Sequence, residues 1–234
     1  MGYRAVFFDA GETILHPAPS FPELFASVLE GFGHAVDHAT IRDGLQAIPQ
    51  RFVEAAERGE LWTTSPERSR AFWTSVYHHF LDRVGLPTGD GLQDALYGAF
   101  TDVGNYELFA DVRPVVGALS DAGIRLGLIS NFEAWLEDLL VHLDIRDVFE
   151  VMVISGVEGI EKPDPAIFEL ALARAGLRPD EAVYVGDVPA FDVEPPSALG
   201  MHAVLVDRRQ RHADFVGPRV TDLRDLPGLL GVAR

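Results

Sequence analysis

Four short apolar runs in this chain each end on a polar group able to do chemistry. Ala5-Val6-Phe7-Phe8 stops at Asp9, with Gly11 and Thr13 close behind. Arg125–Ile129 is followed by Ser130-Asn131, and a loop beyond Val151–Ile154 reaches Lys162 within EKPDP. Ala182–Val185 leads into Gly186-Asp187, with Asp192 five residues further on. Asp9 offers a nucleophile, Ser130 and Thr13 offer hydroxyls, Lys162 a fixed cation, and Asp187 and Asp192 oxygen ligands for a hard metal ion. Taken alone, Asp9 reads equally well as a strand-ending carboxylate that caps a turn. Lys162 is the only lysine, against 18 arginines, and a compact ammonium is not interchangeable with a planar guanidinium in a tight site. A single stray lysine falling there is the plainer alternative.

These groups need a scaffold that brings strand ends together. Short, continuously apolar runs suit strands covered on both faces, and here they alternate with helical stretches at Pro114–Ala122, Trp135–Leu143 and Ala166–Ala175. That alternation predicts a Rossmann-like, doubly wound parallel α/β sheet, in which ligands bind beyond the carboxyl ends of the strands. Glycine at position 11 would let a ligand approach the backbone closely.

From His16 to about Asn105 the pattern is helical instead. Phe72, Trp73, Val76, Tyr77, Phe80 and Leu81 recur at three- and four-residue spacing, which reads as the core of a helical module. Ser65-Pro66 predicts a helix start and Gly85 with Pro87 its end, while Pro49 should kink or split a helix over Ala39–Arg58. With no convincing strand in it, the block predicts an all-α insertion over 16–105, set between core segments 1–15 and 106–234.

Composition bounds the partners. A chain of 234 residues with 47% hydrophobic content can bury a large core, and a net charge of −17 would repel a nucleic-acid backbone. An anionic small molecule would need local positive charge against that field. There are no cysteines, which excludes disulfides, zinc-thiolate sites and thiol catalysis. No apolar run approaches a membrane span, and Asp9 interrupts the N-terminal apolar stretch, so neither a membrane anchor nor a signal peptide is expected and a cytoplasmic location follows by default. No feature of the sequence points to an oligomeric state.

The stretches FFDAGETIL, LISN, EKPDPAIF and VGDVPAFD, in that order, resemble the four motifs of the haloacid dehalogenase (HAD) superfamily. The helical insertion after the first strand resembles that family's cap, so the likeness spans nearly the whole chain. It implies a mobile cap over an active site that most often performs Mg²⁺-dependent phosphomonoester hydrolysis through an aspartyl-phosphate. Carried over residue by residue, Asp9 matches the nucleophile, Ser130 the hydroxyl that bonds the phosphoryl group with Asn131 beside it, and Lys162 the neutralising cation. Thr13 joins the phosphate-binding set. Asp187 matches the acidic metal ligand, Asp192 a second ligand that could act through water, and the Gly11 carbonyl the family's backbone ligand. The substrate would be a small phosphorylated compound, chosen by cap residues that no motif singles out.

Two departures stand out. The phosphatase pattern of the first motif, DxDxT, has a second Asp that protonates the leaving alkoxide and then activates water, and here that position is Gly11. Glu12 is adjacent, yet neighbouring side chains of an extended segment point apart. Pro195-Pro196 stands where relatives carry small residues opening a helix, a place where proline is tolerated. Two other readings stay open: a 2-haloacid dehalogenase, in which Asp9 displaces halide from carbon, and a non-catalytic binding or regulatory protein. His16 reads as a linker residue before Pro17 more than as an acid or base, and Arg208, Arg209 and Arg211 as a solvated loop of an acidic protein.

Overall fold

Four consecutive apolar side chains leave Ala5–Phe8 no solvent-facing side, and in the computed structural model this strand, β1, lies inside a parallel sheet. The model describes residues 2–45, 48–89 and 91–232. The chain divides into two units, one made of Met1–Leu15 with Leu108–Arg234 and the other of His16–Glu107.

In the first unit, β1 is flanked by β4 (Arg125–Ser130) on one side and β6 (Ala182–Gly186) on the other. Beyond them lie β5 (Val151–Ile154), β7 (His202–Val206) and β8 (Arg219–Val220), giving the order β5-β4-β1-β6-β7-β8 with every pairing parallel. The order reverses direction around β1, which is the switch point where such sheets open a crevice at their carboxyl edge. Phe8 pairs with Leu128 on one neighbour and Val185 on the other, so Asp9, Ser130 and Asp187 all leave the sheet at that edge. Ala5, Phe7, Ile129, Val153 and Tyr184 pack against Ile167, Phe168, Ala171 and Leu172 of the helix Pro165–Ala175. Gly127 is needed here, since a Cβ on it would lie 2.4 Å from the Phe7 ring.

The second unit holds five α-helices over the described residues: Phe21–Gly31, His38–Leu45, Ile48–Glu57, Pro66–Arg83 and Leu92–Thr101. Ser65 caps the fourth by accepting from Arg68 N at 3.3 Å, with Pro66 in its first turn, and Gly85 (φ 72°) follows its end. The predicted break near Pro49 falls between two helices. Residues 46 and 47 lie outside the described ones, and the proline occupies the second position of the later helix. Tyr77 is buried with Phe25, Phe80 and Phe100, and Trp73 stacks on it at 5.8 Å, so the aromatic stripe is helical-unit core as its spacing predicts. No described helix is long and apolar enough to cross a membrane.

Three strands escape the sequence reading. Leu15–Pro17 (β2) and Tyr106–Leu108 (β3) pair as a ribbon where the chain passes between the units, so the inserted block is not purely helical, and β8 adds a sixth strand to the sheet. Each is two or three residues long, too short for any periodicity to register.

Candidate active site

Asp9 follows β1 directly, and its backbone N–H continues the sheet by donating to Val185 O at 2.9 Å. Its carboxylate is largely buried and meets two donors on one oxygen. Ser130 Oγ donates to Asp9 Oδ1 at 2.9 Å, and Lys162 Nζ donates to the same atom at 2.8 Å. Among the described residues, no hydrogen bond falls on Oδ2.

Lys162 comes from the loop after β5, 153 residues away in sequence, with a side chain only 4% exposed. An ammonium has three N–H groups, and here all three have acceptors: Asp9 Oδ1, Asp192 Oδ1 at 2.6 Å and the Tyr184 hydroxyl at 2.9 Å. The Tyr184 hydroxyl has one proton, and the Ile129 carbonyl at 2.7 Å can only accept it. The tyrosine oxygen is therefore left to accept from Lys162. Burial works against the lysine charge, but the Asp192 and Asp9 carboxylates outweigh it and hold its pKa above the ordinary lysine value. Burial, then Asp192 and Asp9, push the Tyr184 phenol well up, so it stays protonated.

Asn131 anchors the lysine from behind. Its Nδ2 donates to Lys162 O at 2.8 Å and its Oδ1 accepts from Lys162 N at 2.7 Å, which commits the side chain to Lys162. Asp192 sits in a wide helical turn, Pro189–Val193, just ahead of the short helix Glu194–Ala198, whose first turn holds Pro195 and Pro196, where proline is tolerated. Its Oδ2 accepts from Val188 N at 2.9 Å and its own N–H donates to Val188 O at 2.7 Å. A Cβ on Gly186 would lie 2.4 Å from Asp192 Cγ, so only glycine lets this carboxylate lie against the strand end.

Asp187 differs from its neighbours. Among the described residues it makes no hydrogen bond or ion pair, and burial together with Asp192, Asp9 and Glu12 pushes its carboxyl well above the usual range. Oxygens of Asp9, Asp187 and Asp192 lie within 4.8 Å of one another. That spacing is close to the separation two oxygens have when each lies about 2.1 Å from one hard cation. Three carboxylates face one ammonium, and the uncompensated Asp187 is what a hard cation would satisfy. The residues fit such an ion.

Thr13 is fully buried, and its hydroxyl has no hydrogen-bond partner among the described residues. Gly11 bridges to Leu15 with a negative φ, and a Cβ on it would meet nothing within 4 Å. Glu12 is in the left-handed region (φ 57°) and pairs with Arg209 at 2.7 Å. His16 belongs to the helical unit, where Nδ1 lies 2.9 Å from Pro17 O and Nε2 3.5 Å from Glu107. The arginine cluster corrects the sequence reading in one member. Arg209 and Arg211 are exposed, whereas the Arg208 side chain is 13% exposed and pairs with buried Asp111 at 2.8 Å. The roles of Tyr184, Gly186 and Arg208 are what motif reading misses. Tyr184 is masked by its apolar strand, and only the Gly-Asp step at 186 carried any hint.

The haloacid dehalogenase-like hydrolase family model matches residues 3–200. The chain is 32% identical over 232 residues to the glyceraldehyde 3-phosphate phosphatase of Methanopyrus kandleri, covering 96% of this chain and 91% of that protein. It is 31% identical over 229 residues to the phosphoserine phosphatase of Thermus thermophilus, covering 96% and 84%. The fold is like that of the HAD-hydrolase YfnB from Bacillus subtilis, solved with magnesium bound, with a TM-score of 0.77, 16% identity, and 98% and 99% of the two chains covered. Agreement over that length of sequence and fold makes the chain a member of the haloacid dehalogenase-like hydrolases.

Proposed function

We propose that this hydrolase cleaves small phosphate monoesters with Asp9 as nucleophile, and that Asp9, Asp187 and the Gly11 carbonyl hold a magnesium ion, with Asp192 behind them. The observation that carries the reading is the state of Asp9: among the described residues, Ser130 and Lys162 hold one carboxylate oxygen and nothing bonds the other, beside Asp187, whose carboxylate has no partner among them either. The two phosphatases at 31–32% identity support it. The helical unit takes the part of the cap in this reading, and substrate choice falls to it.

Asp9 Oδ2 attacks phosphorus in line with the leaving oxygen. The bond to that oxygen breaks, the leaving group departs with the electron pair, and the phosphoryl group stays on Asp9. Water then attacks the same phosphorus, the bond to Asp9 breaks, and the water proton leaves with phosphate or solvent. Lys162 and Ser130 decide which carboxylate oxygen is free, and the lysine charge offsets the incoming phosphoryl group. Bound magnesium would supply further neutralisation and orientation of the phosphoryl oxygens.

Gly11 narrows the substrate. Glu12 is engaged by Arg209, so no carboxylic acid stands ready at the first motif to protonate a departing alkoxide. General acid help is worth on the order of 10² to 10⁴ in rate, so acyl and aryl phosphates, whose leaving groups are stable anions, should turn over best. A haloacid would meet three carboxylates against one lysine without needing the metal, which disfavours the dehalogenase reading. The deciding experiment is release of phosphate from a panel of phosphorylated metabolites with and without Mg²⁺, with Asp9→Asn as blank. Metal-dependent release that the blank lacks is expected. Metal-independent halide release from 2-chloropropionate, or no turnover at all, overturns the reading.

A further inference from the structure

The loop after Asp9 is held by a residue that follows β7, two strands away from β1 in the sheet. Among the described residues the Thr13 carbonyl accepts from Arg208, at 2.7 Å from Nη2 and 3.3 Å from Nε. The same guanidinium binds Asp111 in a fork, Nη1 to Oδ2 at 2.8 Å and Nη2 to Oδ1 at 3.0 Å, and lies 3.8 Å over the Phe109 ring. Asp111 Oδ2 also accepts from Leu223 N at 2.8 Å, and Phe109 N donates to Ile14 O at 3.1 Å.

These contacts sit at the two places where the core chain leaves for the helical unit and returns from it. Thr13 is two residues before Leu15, the last of the outgoing segment, and Phe109 and Asp111 come just after Leu108, the first of the returning one. We infer that Arg208 is a positioning residue that sets the backbone of residues 12–15 beside the nucleophile and anchors both crossings to the core. The effect on catalysis rests on the reading proposed above.

The physical case lies in geometry more than in charge. Inside the loop, Ala10 O takes N–H bonds from Thr13, Ile14 and Leu15, while Glu12 holds a left-handed conformation that a side chain adopts only when its surroundings impose it. A planar guanidinium can address a carbonyl, a carboxylate and an aromatic face together, which an ammonium cannot. Lysine at 208 could keep the Asp111 ion pair yet would lose the Thr13 contact and the ring. The neighbouring Arg209–Glu12 pair is exposed and contributes little.

Hydrogen exchange by mass spectrometry on the full chain tests this without any substrate. Arg208→Lys should speed exchange tenfold or more at the amides of residues 12–15, 109 and 112, and leave β1 and β6 unchanged. Asp111→Asn, which keeps the arginine but frees its fork, should give the same pattern at threefold or more, and Arg209→Ala should change these amides less than threefold. In turnover of an aryl phosphate, Arg208→Lys should lower kcat tenfold or more with KM within threefold of the parent. Unchanged exchange at the loop, a uniform rise across the whole core, or an equal response to Arg209→Ala overturns the assignment. A parent that hydrolyses no phosphate overturns the functional reading alone, and the exchange pattern still judges Arg208.

Discussion

Lys162 Nζ lies 2.6 Å from Asp192 Oδ1, with the lysine side chain 4% and the aspartate side chain 1% exposed. A buried pair this close is a single electrostatic unit, and its other contacts explain its purpose. Asp192 is fixed by Val188 N and the room left at Gly186, and the lysine so held reaches Asp9. Breaking such a pair from one side leaves an uncompensated charge, which costs about 3 to 5 kcal/mol.

Lys162→Arg keeps the charge but spreads its donors over a planar fork that cannot converge on Asp9, Asp192 and Tyr184 from one nitrogen. We expect kcat/KM on an aryl phosphate to fall on the order of 10²-fold, the usual effect of removing one preorganised electrostatic donor. Lys162→Met should fall at least as far and lower stability in urea as well. Steady-state kinetics beside urea titration measures both, and an arginine variant within threefold of the parent would refute the role.

Two glycines separate site from core. An alanine Cβ would come within 2.4 Å of Asp192 at position 186 and within 2.4 Å of Phe7 at position 127. Gly127→Ala overpacks the core and should cost about 1 to 3 kcal/mol while the folded protein keeps its kcat. Gly186→Ala displaces Asp192 and should lose activity tenfold or more even where it remains folded. Equal kcat for the two variants in thermal-melt-controlled assays would contradict this.

Gly11→Asp tests the missing acid. The position has a negative φ and open space around a new Cβ, so the substitution should fold normally. Alkyl phosphate hydrolysis should rise relative to aryl phosphate hydrolysis by ~10-fold or more, within the range general acid help supplies. The measurement is kcat/KM of variant and parent on one alkyl and one aryl ester. A parent already as fast on alkyl esters would mean that another residue supplies the proton.

Asp111 sets an acid limit on stability. Burial alone would raise its carboxyl, but hydrogen bonds from Arg208 and Leu223 and the guanidinium charge prevail and hold its pKa below the usual carboxylate value. A depressed folded pKa contributes stability fully present above the unfolded value near 3.9 and lost as pH falls through the folded one. The difference in unfolding free energy between the parent and Asp111→Asn should thus be constant above about pH 5 and shrink below about pH 4. Urea melts at stepped pH measure it, and a difference that grows on acidification would reverse the sign of the argument.

How much of this was legible in the sequence depends on how far each feature reaches. The runs ending at Asp9, Ser130 and Asp187 are local signals, and because parallel strands share one carboxyl edge, calling the strands already brought those residues together. The Ser65-Pro66 start and the aromatic periodicity of the helical unit are local in the same way. Lys162 was conspicuous by type alone. The partners that set its geometry were not. The hydroxyl of Tyr184 is hidden within an apolar strand, Gly186 is a glycine because of a side chain six residues ahead, and Arg208 meets Thr13 across 195 residues and Asp111 across 97. Composition and periodicity record what a residue is and which face it occupies. Which side chain fills the space in front of it is decided only when distant segments pack, and for that reason a loop that reads as solvated from its charge became, at Arg208, the part-buried anchor of the segment that follows Asp9.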